Sequence, residues 1–123
     1  EHSYFSEMIK MYIKPDCSTC RTAVKLVSEN SSEELETIQY LVDTPSEKEI
    51  KEIIRMLGIK PIELVRKKET LYKEKYMDKK ISDAEWIKIL HKHPILIERP
   101  IVIYHDRAII GRPPQTIVSF LNS

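Results

Sequence analysis

Cysteine is scarce in this chain of 123 residues. There are two, Cys17 and Cys20, so no disulfide framework between distant segments is available. A pair three residues apart suits a reducing compartment in which such thiols work catalytically, and the expected location is cytoplasmic. Long apolar runs are absent too. None approaches the roughly 18 residues a membrane span needs, so no membrane partner is expected. Nor is there an excess of charge of one sign: the formal net charge is +1, which argues against a dedicated nucleic-acid surface. His91 and His93 are badly spaced for completing a zinc site with the cysteines, so no metal is expected. Internal repeats, low-complexity stretches and interdomain linkers are also missing, and residues 8–123 read as a single domain long enough to bury a core. Residues 1–7 (EHSYFSE) lack the long apolar core of a signal peptide and read as a tag remnant or a frayed N-terminus.

What is present reads as an α/β chain. Met8 to Ile13 is short and mostly apolar, a first strand, and after a tight turn at Pro15 a helix runs from Cys17 or Ser18 to about Ser28. Thr37 to Leu41 is β-branched and aromatic, a second strand parallel to the first because a helix separates them. Ser46 and Glu49 make a capping box, Ile50, Ile53, Ile54 and Leu57 repeat at helical spacing, and Gly58 ends that helix. Pro61 to Arg66 is expected as a short helix with Ile62 and Val65 inward, and the lysine-rich stretch Lys67 to Lys80 as an exposed, partly helical excursion. Ser82 and Glu85 form a second capping box, with Ile81 and Trp86 as a hydrophobic staple, and that helix stops at Pro94. Ile101 to Tyr104 fits a central strand, with Ala108 to Ile110 antiparallel to it across a turn at His105-Asp106. Pro113 and Pro114 open a last helix with Ile117, Val118 and Leu121 as its buried stripe. The order is β-α-β-α, a helical insertion, then β-β-α.

The chemistry is expected at Tyr12-Ile13-Lys14-Pro15-Asp16-Cys17-Ser18-Thr19-Cys20-Arg21. Cys17 falls where the helix is capped, so its sulfur meets unpaired backbone N–H groups and the positive end of the helix dipole, both of which favour the thiolate. Cys20, on the face shared with Ala23, Val24 and Val27, points toward the core within disulfide reach of Cys17. A CxxC that leaves a strand and enters a helix is the thioredoxin-like redox arrangement: one exposed nucleophile and one resolving thiol. Arg66, Arg99 and Arg112 each sit beside structural punctuation, and a guanidinium fork suits a tetrahedral oxyanion. Placed beside a cysteine at a helix N-terminus, they would make a site for an anionic substrate.

Three stretches resemble the glutaredoxin-coupled arsenate reductases and their Spx-like relatives: Tyr12-x-x-Pro15-x-Cys17-x-x-x-Arg21; Leu64-Val65-Arg66-Lys67; and His93 to Val102 (HPILIERPIV) followed by Gly111-Arg112-Pro113. The resemblance implies a thioredoxin-like fold, a mixed sheet flanked by helices with a helical insertion. It also implies that Cys17 attacks arsenate or a similar oxyanion, that Arg66, Arg99 and Arg112 hold the anion, and that Pro100 is a cis proline shaping the site. Arg21 would support the anion loop. No tightly bound cofactor is implied; glutathione enters as a co-substrate, with glutaredoxin or thioredoxin as the reducing partner. Ile13 and Lys14 replace the histidine and asparagine of many arsenate reductases, and Cys20 stands where those enzymes usually have serine. Spx-type regulators, which bind RNA polymerase, do have CxxC, whereas Arg112-Pro113 keeps the reductase pattern. Two alternatives therefore stand beside arsenate reduction: a redox-sensing regulator of the Spx type and a general CxxC disulfide reductase.

Overall fold

Alternating burial along Ile9–Ile13 (β1) fixes how the sheet is built. Ile9 and Met11 turn to one face with Val102, and Tyr12 turns to the other with Ile101, so the first face is covered throughout and the second at Tyr12, while Lys10 stays exposed. The computed structural model describes residues 8–123; the expectation for residues 1–7 lies outside them. Among the described residues, β1 pairs in parallel with Leu35–Gln39 (β2) from Ile9↔Leu35 to Ile13↔Gln39. On its other side β1 is antiparallel to Ile101–Tyr104 (β3), which is antiparallel to Arg107–Ile110 (β4) across the His105-Asp106 turn, where His105 has φ 59°. The sheet order is β2-β1-β3-β4. These registers bring the C-terminal ends of β1, β2 and β4 and the start of β3 to one edge, which is where open α/β sheets place ligands.

The described residues divide into two compact units, one running up to Asp43 and resuming at Arg99–Ser123, the other Thr44–Glu98. The first holds the sheet, Ser18–Asn30 (α1) and, near the C-terminus, a short helix at Thr116–Leu121. Ala23 and Val27 of α1 join Ile9, Met11, Val102, Ile117 and Phe120 in one core cluster. Burial of each large apolar side chain in it stabilises the fold by about 1.5–3 kcal/mol.

The Thr44–Glu98 unit is the expected helical insertion. Glu47–Leu57 (α2) begins at a complete capping box, in which the Ser46 hydroxyl accepts from Glu49 N at 3.1 Å and the Glu49 carboxylate accepts from Ser46 N at 2.8 Å; it ends at Gly58, which has φ 68°. Thr70–Lys75 (α3) is the helical part of the lysine-rich excursion, and Asp83–Lys92 (α4) starts at Ser82, whose hydroxyl accepts from Glu85 N at 3.2 Å. Pro61–Leu64 and Pro94–Leu96 are 3-10 turns. The first is shorter than the helix expected to Arg66, because Val65 is drawn into an antiparallel bridge with Ile97; Val65 is buried as expected, Leu64 is buried beside it, and Ile62 is only half-buried. Tyr72 and Tyr76 pack their rings on Trp86 at 6.4 and 5.7 Å. With Ile62, Ile81 and the Lys79–Asp83 segment they line a cavity of about 530 Å³ that contains neither cysteine nor arginine.

The last helix, now α5, departs from expectation. It opens at Thr116 rather than at the prolines, whose carbonyls cap it: Thr116 N donates to Pro113 O and Ile117 N to Pro114 O. Phe120 is buried with Ile117, while Val118 and Leu121 are half-buried, because the guanidinium of Arg107 lies over the Phe120 ring at 4.8 Å and holds it against β4.

Gly111 makes the one approach in the sheet edge that a side chain would block. Its N–H donates to Pro100 O at 2.8 Å, and an added Cβ would stand 2.9 Å from Ile117 Cδ1 and 3.1 Å from the Pro100 ring. Both neighbours are fully buried. We expect Gly111→Ala to lower stability by about 1–3 kcal/mol, seen as a lower denaturant midpoint at unchanged slope. An unchanged midpoint would mean that Ile117 relaxes freely.

Candidate active site

The first unit's sheet edge gathers its chemistry from four chain segments. After β1 ends at Ile13, Cys17 N donates to Lys14 O at 2.9 Å, a Lys14–Asp16 ion pair of 2.7 Å spans the turn, and Arg21 Nη1 donates to Pro15 O at 3.2 Å. That closed turn delivers Cys17 as the N-cap of α1 with extended backbone (φ −87°, ψ 120°). Arg21 is thus a brace on the turn. With Ile13, Pro15, Cys20 and Val24 it lines a smaller, mainly apolar cavity of about 300 Å³.

Both cysteines are free thiols, Cys17 half-buried and Cys20 buried. Burial pushes the Cys17 thiol up, but the backbone N–H and thiol of Cys20, a hydrogen bond from Arg99 and the charge of Arg112 outweigh it and bring it down to about 7. Cys17 makes no close capping bond, so the Cys20 N–H acts mainly through its dipole. Burial pushes Cys20 up to about 11; hydrogen bonding and charge repulsion from Cys17 reinforce this, and a backbone N–H at Lys14 only partly opposes it. The outcome is one ionisable thiol and one protonated thiol in contact, the division of labour that thiol–disulfide exchange requires.

Arg99 lies two residues before β3 and Arg112 two residues after β4, so the strand pairing brings them together. Arg112 spreads its fork over three partners: Nε donates to Arg99 O at 2.7 Å, Nη1 approaches Thr19 Oγ1 at 3.4 Å, and Nη2 approaches Cys17 Sγ at 3.6 Å. Arg99 is only 6% exposed, hydrogen-bonds the Cys17 sulfur, and directs Nη1 to the hydroxyl of Tyr40 at 3.4 Å. Both arginines precede cis prolines, Pro100 and Pro113. Arg66 belongs to the Thr44–Glu98 unit, where its guanidinium meets Glu69 at 3.0 Å and Glu98 at 3.8 Å. Among the described residues, no group of three or more His, Cys, Asp and Glu side chains could hold a metal ion, and no helix is long and apolar enough to cross a membrane.

A thiol of lowered pKa under two arginines, at the C-terminal edge of a thioredoxin-like sheet, agrees with what comparison with known proteins finds. The model of the ArsC family matches residues 12–120. The chain belongs to the ArsC family. It is 37% identical over 113 residues to an arsenate reductase of Haemophilus influenzae, covering 90% of this chain and 97% of that one. It is 34% identical over 118 residues to the uncharacterized protein YfgD of Escherichia coli, covering 94% and 98%. Among solved structures, an arsenate reductase from Vibrio cholerae superposes with a TM-score of 0.85 at 35% identity over 93% of this chain and 98% of that one. ArsC membership and the Cys17–Cys20 pair make the chain a thiol-dependent oxidoreductase of thioredoxin-like fold.

Sequence reasoning passed over two residues at this site, Thr19 and Tyr40. Thr19 was within the CxxC itself. Tyr40 was legible only from its place just beyond β2, level with the cysteine turn on the neighbouring parallel strand.

Proposed function

We propose that this ArsC protein is an arsenate reductase or a close paralogue, a single reductase domain over residues 8–123 working in the cytoplasm without a tightly bound cofactor. The observation that carries the reading is the convergence of the Arg99 and Arg112 guanidinium groups on a Cys17 sulfur whose pKa is lowered to about 7. Two fixed cations beside a nucleophile suit a substrate that is itself a tetrahedral oxyanion. Arg66 is assigned to the same anion by resemblance alone.

In this mechanism the Cys17 thiolate attacks arsenic(V), and an arsenate oxygen leaves as water after protonation, giving a covalent thio-arsenate adduct. A second thiol then attacks the Cys17 sulfur. The electron pair of the sulfur–arsenic bond passes to arsenic, which departs as arsenite, and a disulfide remains. Glutathione supplies that thiol in one version and Cys20 in the other; glutaredoxin or thioredoxin reduces the product. The deciding assay is arsenate-dependent oxidation of NADPH, run with glutathione plus glutaredoxin and separately with thioredoxin. Turnover with either donor is expected. Silence with both, from protein whose Cys17 still alkylates, would turn the assignment toward an Spx-like regulator that binds RNA polymerase, or toward a general disulfide reductase.

A further inference from the structure

We propose that Tyr40 is a positioning residue whose buried hydroxyl holds the Arg99 guanidinium against the Cys17 sulfur. This rests on the reading of Cys17 as the nucleophile. Tyr40 is fully buried, and its hydroxyl lies 3.4 Å from Arg99 Nη1. A tyrosine kept only for packing would bury a polar group to no purpose, since phenylalanine fills the same space without that cost. Arg99 in turn is 6% exposed, and an interior guanidinium takes up a unique orientation only when acceptors surround it. The backbone fixes the tyrosine: at the end of β2 the carbonyl of Gln39 accepts from both Val42 N at 3.0 Å and Asp43 N at 2.8 Å, which pins the turn directly after Tyr40. The phenol thus stands on a pinned strand end and offers the arginine a fixed acceptor.

The charged and titratable groups around Cys17 come from each neighbouring segment: the Cys20 thiol from α1, Arg99 from before β3, Arg112 from after β4, and the mutually paired Lys14 and Asp16 from the turn. Arg112 has its own fixed partners in Arg99 O and Thr19, and so keeps its place without Tyr40. Loss of the phenol hydroxyl therefore acts on the Arg99 contribution alone. Removing it leaves the thiolate less well stabilised, so the pH midpoint of Cys17 reactivity must rise.

The experiment is iodoacetamide alkylation of Cys17, resolved by mass spectrometry and measured against pH in the full chain. It compares wild type, Tyr40→Phe, Arg99→Lys, the double variant, and Ile9→Val as a buried core control at the end of β1 away from the cysteine turn. For Tyr40→Phe the midpoint is expected to rise by about half a unit from its wild-type value, so that alkylation near pH 6 slows about threefold. Protection of Cys17 by sulfate should weaken by a similar factor. In the Arg99→Lys background Tyr40→Phe should add nothing further, because the two act in series. Ile9→Val should lower thermal stability and leave the profile alone. The proposal is overturned by a Tyr40→Phe profile that matches wild type, by an equal shift in Ile9→Val, or by full additivity with Arg99→Lys. A wild-type midpoint at the ordinary thiol value of about 8.5 would strike the nucleophile reading itself, and this proposal with it.

Discussion

Cys17→Ser is expected to abolish arsenate-dependent turnover, a loss on the order of a thousandfold or more, because a serine hydroxyl is not ionised near neutral pH and cannot be reduced out of an adduct as a thiol can. Cys20→Ser should behave differently. Its thiol is buried and pushed up to about 11, so it stays protonated until Cys17 is engaged and has no part in the first attack. With glutathione and glutaredoxin present the external thiol can resolve the adduct, and Cys20→Ser should retain a substantial fraction of activity. With thioredoxin alone it should stall at the thio-arsenate adduct and release no arsenite, since no internal disulfide can form. Mass spectrometry of oxidised wild type should show a loss of about two mass units for the Cys17–Cys20 disulfide, and Cys20→Ser should not show it. Equal and complete loss of activity in both variants with both donors would place Cys20 before adduct release and refute this order of events.

How far the sequence discloses the molecule depends on whether a feature is set locally. Helix α2 was readable from end to end because its capping box, its isoleucine spacing and its terminal Gly58 all lie within the segment. Strand β2 was not. The β-branched run suggested Thr37 to Leu41, but pairing with β1 starts at Leu35, and the chain turns away after Gln39 to sink Tyr40 beside Arg99. That choice is made by residues far away in sequence, which no local propensity encodes. The site divides in the same way. Cys17 and Cys20 declare themselves by spacing, and Arg99 and Arg112 by the prolines that follow them. The tie between Tyr40 and Arg99 spans 59 residues and is created only by sheet order. In α5, likewise, the choice of Phe120 over Val118 for the interior follows from Arg107 on a different element.

Loss of either arginine at the Cys17 sulfur should weaken oxyanion binding about ten- to a hundredfold, the effect of removing charge-assisted hydrogen bonds worth roughly 1.5–3 kcal/mol. The two replacements by lysine are the informative ones, because charge is retained and only the fork is lost. Arg112 currently serves Arg99 O, Thr19 and Cys17 at once through three nitrogens. A single ammonium cannot reach all three, so Arg112→Lys should cost nearly as much as Arg112→Ala. Arg99 is interior, and Arg99→Lys must place a more strongly hydrated cation in the same buried space, which adds a desolvation cost to the lost geometry. Arg66 tests the resemblance by itself, since its guanidinium is already engaged with Glu69 and Glu98; if it also serves the anion, Arg66→Lys should weaken binding as the other two do. The measurement is protection of Cys17 from alkylation by arsenate or sulfate. Each variant's unprotected rate must be recorded first, because loss of Arg99 or Arg112 also withdraws support from the thiolate and slows alkylation on its own account. If anion at about 10 mM, above the millimolar range in which weak sites fill, leaves wild-type Cys17 alkylation unchanged, there is no oxyanion site at this cysteine. The arginines would then serve only to hold a reactive thiol, which is the arrangement a redox-controlled binding protein needs.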